Sequence, residues 1–189
     1  MILSALMTSK KKAVGVQFLS KDDKGKLVAI LQVRSKWNAE KNSPESWSGA
    51  CQVTAHGKLE EGENFIHALF REIKEELGSE VADVVQKTYD SGRLIELTNI
   101  DSPETQIITY GTIVDENIFK TLINTGKSPT FGGFKIIRRE DIDKIIDIQT
   151  VDKIIGVTDE NVIAMFPDEK ETIRLAFKKF DSQNRTYTK

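Results

Sequence analysis

GKLEEGENFIHALFREIKEELG, residues 57–78, is the stretch around which the rest of the chain can be ordered. It reads as a short loop feeding a helix. Gly57 and Gly62 allow the loop backbone conformations that other residues avoid. At ~100° per residue, Ile66, Leu69, Phe70, Ile73 and Leu77 fall in one stripe, the pattern of a helix face packed into a core. Glu63 suits the positive N-terminal end of that helix and Gly78 its stop. Glu72, Glu75 and Glu76 project from another sector, and their spacing makes them neighbours in space.

Like charges so placed destabilise a helix by ~0.2–0.5 kcal/mol per pair, so the cluster calls for a counter-charge or for open water. A solvated acidic face answers that need. So does a hard divalent cation, since Mg²⁺ binds through a few carboxylates together with substrate phosphates. From Gly57 to Gly78 the acids Glu60, Glu61, Glu63, Glu72, Glu75 and Glu76 outnumber Lys58, Arg71 and Lys74, a net charge of −3; the whole chain carries −2, so the remainder is +1. Such a local field attracts cations and repels bare phosphate, and a phosphate substrate would arrive together with metal.

These residues resemble the Nudix hydrolases. That family's box is Gly, five residues, Glu, seven residues, Arg-Glu, an aliphatic residue, one residue, Glu-Glu, one residue, Gly and an aliphatic residue. Gly57, Glu63, Arg71, Glu72, Ile73, Glu75, Glu76 and Gly78 match it in register, while Ser79 departs from the final aliphatic position and Ala55-His56 from the usual lead-in. The resemblance implies an α/β (α+β) fold, an α/β/α sandwich with a mixed β-sheet. It implies Mg²⁺-dependent hydrolysis, with Mn²⁺ as a substitute, of a diphosphate bond in a nucleoside diphosphate linked to another moiety. By the same analogy Glu72, Glu75, Glu76 and the Gly57 carbonyl form the metal shell, Arg71 orients the carboxylates, and Glu63 ties loop to helix. Glu76, Glu75, Arg71 and Glu63 are thus the expected catalytic group. A box glutamate, or an acid from Asp101, Glu104, Asp115 and Glu116, would act as general base. Two rivals are a non-catalytic nucleotide-binding or sensing module, which keeps the fold but usually loses box carboxylates, and an isoprenoid diphosphate isomerase. The isomerase chemistry wants a proton-donating cysteine and metal-binding histidines, for which Cys51, His56 and His67 are the only material.

A length of 189 residues fits one domain over 1–189, with 1–11 and 181–189 as candidate flexible ends. No apolar run approaches a membrane span. MILSALMTSKKK places its charges on the wrong side for a signal peptide. A single cysteine excludes an intramolecular disulfide, and a cytoplasmic setting follows as the expectation. Without a basic tail or block, the partner expected is a small nucleotide rather than long nucleic acid. A homodimer is the assembly considered.

Outside the box, Lys12 to Ser20 and Lys26 to Arg34 read as a hairpin around Asp22 to Gly25, with Arg34 at a strand end, either a surface side chain or, as the resemblance implies, one that faces substrate. Residues 35–46 read as a surface loop bracketed by Trp37 and Trp47, either of which could stack on a base or serve as a buried anchor. Trp47 to Ala55 reads as a strand leading into the box. After the box, Val81 to Gln86 leads to strands at Tyr89–Thr98 and Gln106–Val114, separated by a turn at Asn99 to Pro103. A helix at Glu116–Asn124, a flexible loop at Lys127–Gly133, a strand at Phe134–Arg138 and a helix at Asp141–Ile148 follow. A last helix from Pro167 to Phe180 turns Ile173, Phe177 and Phe180 inward.

Overall fold

The computed structural model describes residues 10–39 and 41–186. Strands Lys11–Lys21 (β1) and Leu27–Val33 (β2) form the expected hairpin. The polar stretch after it, read as loop, contains a small hairpin of its own, Trp37–Asn38 (β3) with Ser43–Pro44 (β4). Trp47 to Ala55 is not one strand: a turn precedes Cys51–Gln52 (β5), and a separate strand, Ala55–Lys58 (β6), carries Gly57. Helices Phe65–Leu77 (α1) and Ser79–Asp90 (α2) follow, then strands Ile95–Asp101 (β7) and Thr105–Ile113 (β8). Helix Glu116–Ile123 (α3) and strand Phe134–Arg138 (β9) lie where the sequence puts them. The segment Asp141–Ile148, expected as a helix, is a 3-10 turn at Arg139–Lys144, a short strand Ile146–Asp147 (β10) and the start of a second 3-10 turn. Ala164–Met165 (β11) pairs with β10, and Pro167–Thr186 (α4) ends the described chain.

The sheet is mixed and β1 is its axis. On one side β8 runs parallel to β1 for most of its length, with β7 antiparallel beyond. On the other side β6 pairs with residues 13–16 of β1 and β2 with residues 18–21, both antiparallel. β2 in turn carries β9 and β5. Side chains of a strand alternate between faces, so Val14, Val16, Phe18 and Ile30 pack under α1, α2 and α3, while Leu19, Ala29, Leu31 and Val33 pack under α4. Helices therefore cover both faces, the layered arrangement that the resemblance implies. Ile173, Phe177 and Phe180 point inward as expected. In α1 the buried face is built by Ala68, Leu69 and Ile73, with Phe65, Phe70 and Leu77 beside them; Ile66 falls outside this core.

β1 and β2 part midway, and the chain around β5 and β6 wedges between them. Parted strands leave backbone groups without ladder partners, and buried groups of that kind must be satisfied. Thr54 does so: its hydroxyl accepts the Phe18 N–H at 2.8 Å and donates to the Ile30 carbonyl at 2.7 Å. The Gln17 amide donates to the same carbonyl at 2.9 Å. Both residues are fully buried. This wedge brings Gly57 up against α1.

Three expectations fail here for local reasons. Val81 to Gln86 belongs to α2, whose Val81, Ala82 and Val85 are buried at helical spacing, so the strand expected from Tyr89 starts only at Ile95. That strand continues through Asn99 to Asp101, and the turn closes at Ser102, whose N–H donates to the Thr105 carbonyl at 2.8 Å. Residues 181–186 are helical, a continuation of α4, rather than a loose end. Residues 1–9 and 187–189 lie outside the described residues, and Lys11 already begins β1.

Glu169, in the first turn of α4, points inward. It accepts the N–H groups of Val53 and Phe166, and its Oε2 has no partner. Burial, then the neighbouring Asp168 charge, pushes its acid up to about 8. A carboxyl whose folded value lies above its unfolded one favours the fold when protonated, so this contribution is present at low pH and lost as pH rises from about 4.5 to about 8.

Two outcomes follow. Urea unfolding of wild type and Glu169→Gln in chelator should show similar stabilities at pH 5 and a gap favouring the Gln variant that opens towards pH 9; parallel curves would mean that Glu169 ionises freely in the fold. Thr54→Val should cost roughly 1–3 kcal/mol, because the Phe18 N–H loses its acceptor inside the core; an unchanged urea midpoint would refute the role given to Thr54.

Candidate active site

The cap of α1 is Asn64, whose side chain accepts the His67 N–H at 2.8 Å. Glu63 therefore stands just outside the helix and serves Arg71 instead. Its carboxylate takes Arg71 Nε at 3.1 Å and Nη2 at 3.0 Å, and the Glu60 N–H at 3.0 Å. Arg71 Nη2 also donates to the Lys58 carbonyl at 2.8 Å, and Nη1 reaches Glu72 at 2.9 Å and Glu75 at 3.3 Å. A guanidinium has donors only, so Arg71 fastens the loop to the helix through three such bonds and spends two more on its own helix. Hydrogen bonding to Glu63 raises the Arg71 pKa above its ordinary value, and the same bond holds Glu63 below the usual carboxylate range. The repulsion expected among the box glutamates is thus answered for Glu72 and Glu75 by a cation on their own helix.

Gly57 is needed for space, not for backbone freedom. Gly62 and Gly78 have φ of 80° and 92°, but Gly57 is not in the left-handed region. A Cβ built on Gly57 would fall 1.7 Å from the carboxylate carbon of Glu72. The Glu72 carboxylate rests on the β6 backbone. Glu76 accepts the His56 N–H and lies 3.5 Å from Gln32 Nε2. Its surface opens to a cleft while protein crowds its other sides. Burial, then the charge of Glu72, lifts its acid up to about 7.

Among the described residues, no three carboxylates, imidazoles or thiolates are already gathered as a cage for a metal ion. The donor chemistry nevertheless fits a hard cation. Glu72 and Glu76 repel each other on one wall, the glycine lets the Glu72 carboxylate lie against the β6 backbone, and Glu75 stands next to them with its side chain 58% exposed.

The cleft has a volume of about 600 Å³. Its acidic wall carries Glu72, Glu75 and Glu76; the opposite wall includes Arg34, Trp37 and Phe131. Trp37 is 38% exposed, and its N–H donates to the Pro129 carbonyl at 3.0 Å, tying the β3–β4 hairpin to the loop that precedes β9. That loop is pressed against the end of β2, where a Cβ on Gly132 would come within 2.3 Å of the Val33 carbonyl oxygen. Phe131 stands edge-on to Phe134, with ring centroids 5.2 Å apart. Phe131, Gln32, Glu45 and Gln52 line the cleft and were not singled out by sequence reasoning. An aromatic residue inside a glycine-containing loop was the available signal for Phe131.

Other candidates are placed elsewhere. Trp47 does not line the cleft: it takes φ 52°, stands edge-on to Phe166 at 5.6 Å and packs with Ala50, Ile148 and Ala164, so it anchors the segment before α4. The proposed outside bases also lie away from the cleft. Asp115 caps α3, Asp101 pairs with Lys10 and Glu116 with Lys120, and Glu104 gives its carbonyl to the Lys11 N–H. His56 lends the site its N–H while its side chain turns to the other face of β6, towards Gly15. His67 stays beside its cap, Asn64. Cys51 is buried under α4, and burial pushes its thiol up to about 11.

The model of the NUDIX domain matches residues 10–142. The chain belongs to the Nudix family. As a Nudix hydrolase it is an enzyme of the pyrophosphohydrolase class, with every charged position of the box in place. No curated protein matches it in sequence. Among solved structures it is similar to a mutT/nudix family protein from Listeria innocua, at 15% identity and a TM-score of 0.60 over 93% of this chain and 97% of that one. A MutT/nudix family protein from Enterococcus faecalis matches at 15% identity and a TM-score of 0.53, over 92% of this chain and 62% of that one. The NUDIX domain of Shewanella oneidensis NrtR, solved with ADP ribose, matches at 11% identity and a TM-score of 0.52, over 91% and 89%. At these identities the likeness is one of fold.

Gly57→Ala tests the contact on which the acidic wall depends. The added methyl group must displace Glu72, so affinity for Mn²⁺ should fall ~10-fold or more, in the range seen when groups that orient metal ligands are removed. Mn²⁺ titration followed by electron paramagnetic resonance measures this, and unchanged affinity would show that the seat of Glu72 on Gly57 is not required.

Proposed function

We propose that this Nudix hydrolase uses Mg²⁺, or Mn²⁺ in its place, to cleave the diphosphate bond of a small nucleoside diphosphate derivative. The observation that carries the reading is the pairing of two unlike walls across one cleft: carboxylates seated against a glycine on one side, Arg34 and aromatic rings on the other. Glu72, Glu76 and the Gly57 carbonyl would hold the cation, with Glu75 at its open edge. A bound Mg²⁺ would supply charge neutralisation at the phosphates and would acidify water at the site. Arg71 keeps the carboxylates aimed and Glu63 fixes Arg71 against the loop. Trp37 and Phe131 offer π faces to a base, and Arg34 a guanidinium to phosphate or sugar oxygens. ADP ribose, the ligand of the Shewanella oneidensis domain, belongs to this chemical class.

A cytoplasmic site of action fits such a substrate. No helix among the described residues is long and apolar enough to cross a membrane. The isomerase reading is disfavoured because Cys51 and the His56 ring both lie away from the acidic wall. The sensing-module reading is disfavoured by the intact carboxylate set.

The test is a turnover screen with Mg²⁺ and Mn²⁺ across nucleotide sugars, dinucleoside polyphosphates, nucleoside triphosphates and capped oligonucleotides. Activity should vanish in chelator, and Glu76→Gln should lower kcat by ~10² or more, the scale of losing a major electrostatic contributor. Wild-type rates in chelator would overturn the metal-dependent reading. A salt-sensitive gain in affinity with each added nucleotide would overturn the choice of a small substrate.

A further inference from the structure

A line of side-chain hydrogen bonds runs along the cleft floor and joins its two walls. Asn38, the last residue of β3 before the hairpin turn, donates to Glu45 at 2.7 Å. Arg34 donates to the other oxygen of Glu45 at 2.6 Å, and through Nη1 to Gln52 Oε1 at 3.1 Å. Gln52 Nε2 donates to Gln32 Oε1 at 2.5 Å, and Gln32 Nε2 points to Glu76 Oε2 at 3.5 Å. Gln32 and Gln52 are opposed across the β2–β5 ladder, so the sheet itself sets their separation.

The direction of this line is forced by its ends. Arg34 can only donate, so Gln52 must present its carbonyl oxygen to it and its amide group to Gln32. Gln32 must then accept with its oxygen, and the only group it has left for Glu76 is its own amide donor. The ionised Glu76 carboxylate can only accept, so both ends agree. If Arg34 lost its donors, Gln52 could turn over, Gln32 with it, and a carbonyl oxygen would confront the Glu76 carboxylate. The last link is long, so its polarity matters more than its strength.

We propose that Arg34, Gln52 and Gln32 are positioning residues that orient the Glu76 carboxylate from the opposite wall and thereby set the site's affinity for a divalent cation. The inference rests on the cation-binding reading of Glu76 given above. It makes the nucleoside end of the cleft and the cation end one hydrogen-bonded unit, because Arg34 belongs to both.

Mn²⁺ titration of the full chain without nucleotide, followed by electron paramagnetic resonance, tests it. Gln52→Met does not touch Glu76, yet should weaken Mn²⁺ binding ~10-fold, as loss of a group orienting a metal ligand does. Gln32→Met should do the same, and the double variant should be no worse than the weaker single one. Arg34→Met should also weaken binding, although removing a positive charge near a cation site would strengthen it by Coulomb's law alone. Arg34→Lys, which still donates to Gln52, should bind as wild type does. Wild-type or tighter affinity in Arg34→Met, or additive losses in the glutamine pair, would overturn the proposal. Glu76→Gln separates the two levels of failure. If it binds Mn²⁺ like wild type, the cation reading itself is wrong; if it loses Mn²⁺ while Gln52→Met and Arg34→Met do not, only the positioning line is wrong. Thermal unfolding in chelator confirms that each variant is folded, and should Gln52→Met fail to fold, the contrast between Arg34→Met and Arg34→Lys decides.

Discussion

Arg71 joins parts of the chain that would otherwise repel or drift. The loop from Lys58 to Glu63 has a single apolar side chain, Leu59, with which to dock, and α1 bears acids on the same side. One guanidinium meets the Lys58 carbonyl, Glu63, Glu72 and Glu75 together. A lysine could not replace it, since an ammonium is a compact point charge without the planar fork that serves several acceptors in different directions. Its side chain is 23% exposed and that of Glu63 is 14% exposed, which lifts these bonds above ordinary surface ion pairs, while the Glu75 bond, reaching a mostly exposed partner, contributes little.

The parting of β1 and β2 supplies the rest of the geometry. A continuous pairing of these strands would leave no place for β6 beside β1, and without β6 there would be no backbone under Glu72. The cost of parting is a set of backbone groups that need new partners inside the core, which Thr54 and Gln17 satisfy. The wedge then delivers Gly57 to the helix on one face and the Val53 N–H to Glu169 on the other. A single irregularity in the sheet therefore shapes both the acidic wall and the seat of α4.

The sequence made α1, its acids and the hairpin legible because their periodicity is local. It hid α2 because valines at 81, 84 and 85 favour strands by propensity, while their burial against α1 in the folded chain favours helix. It misassigned Gly57 because glycine carries two meanings, backbone freedom and close approach, and only the position of Glu72 distinguishes them. Trp47 and Trp37 looked alike as aromatic residues bracketing a polar loop. The β3–β4 hairpin holds one at the cleft, and a left-handed backbone turns the other into a small core. Gln32 and Gln52 gave no signal at all, since a glutamine in a strand matters only through what the register sets opposite it.

The electrostatics of the metal-free wall bear on how substrate and cation enter. Arg71 is shared among Glu63, Glu72 and Glu75, and Glu76 carries an acid raised to about 7, so the wall keeps a net negative charge while its carboxylates are already engaged. Mg²⁺ gives up its waters reluctantly and is commonly held by one or two carboxylates plus substrate phosphates. Carboxylates engaged in this way would suit a cation that completes its shell from the substrate. On the opposite side Arg34 is likewise committed to Glu45 and Gln52, so it meets an incoming nucleotide as a preset donor rather than as an unpaired charge. On the reading proposed above, a diphosphate touching both walls would be the group whose arrival makes them act together.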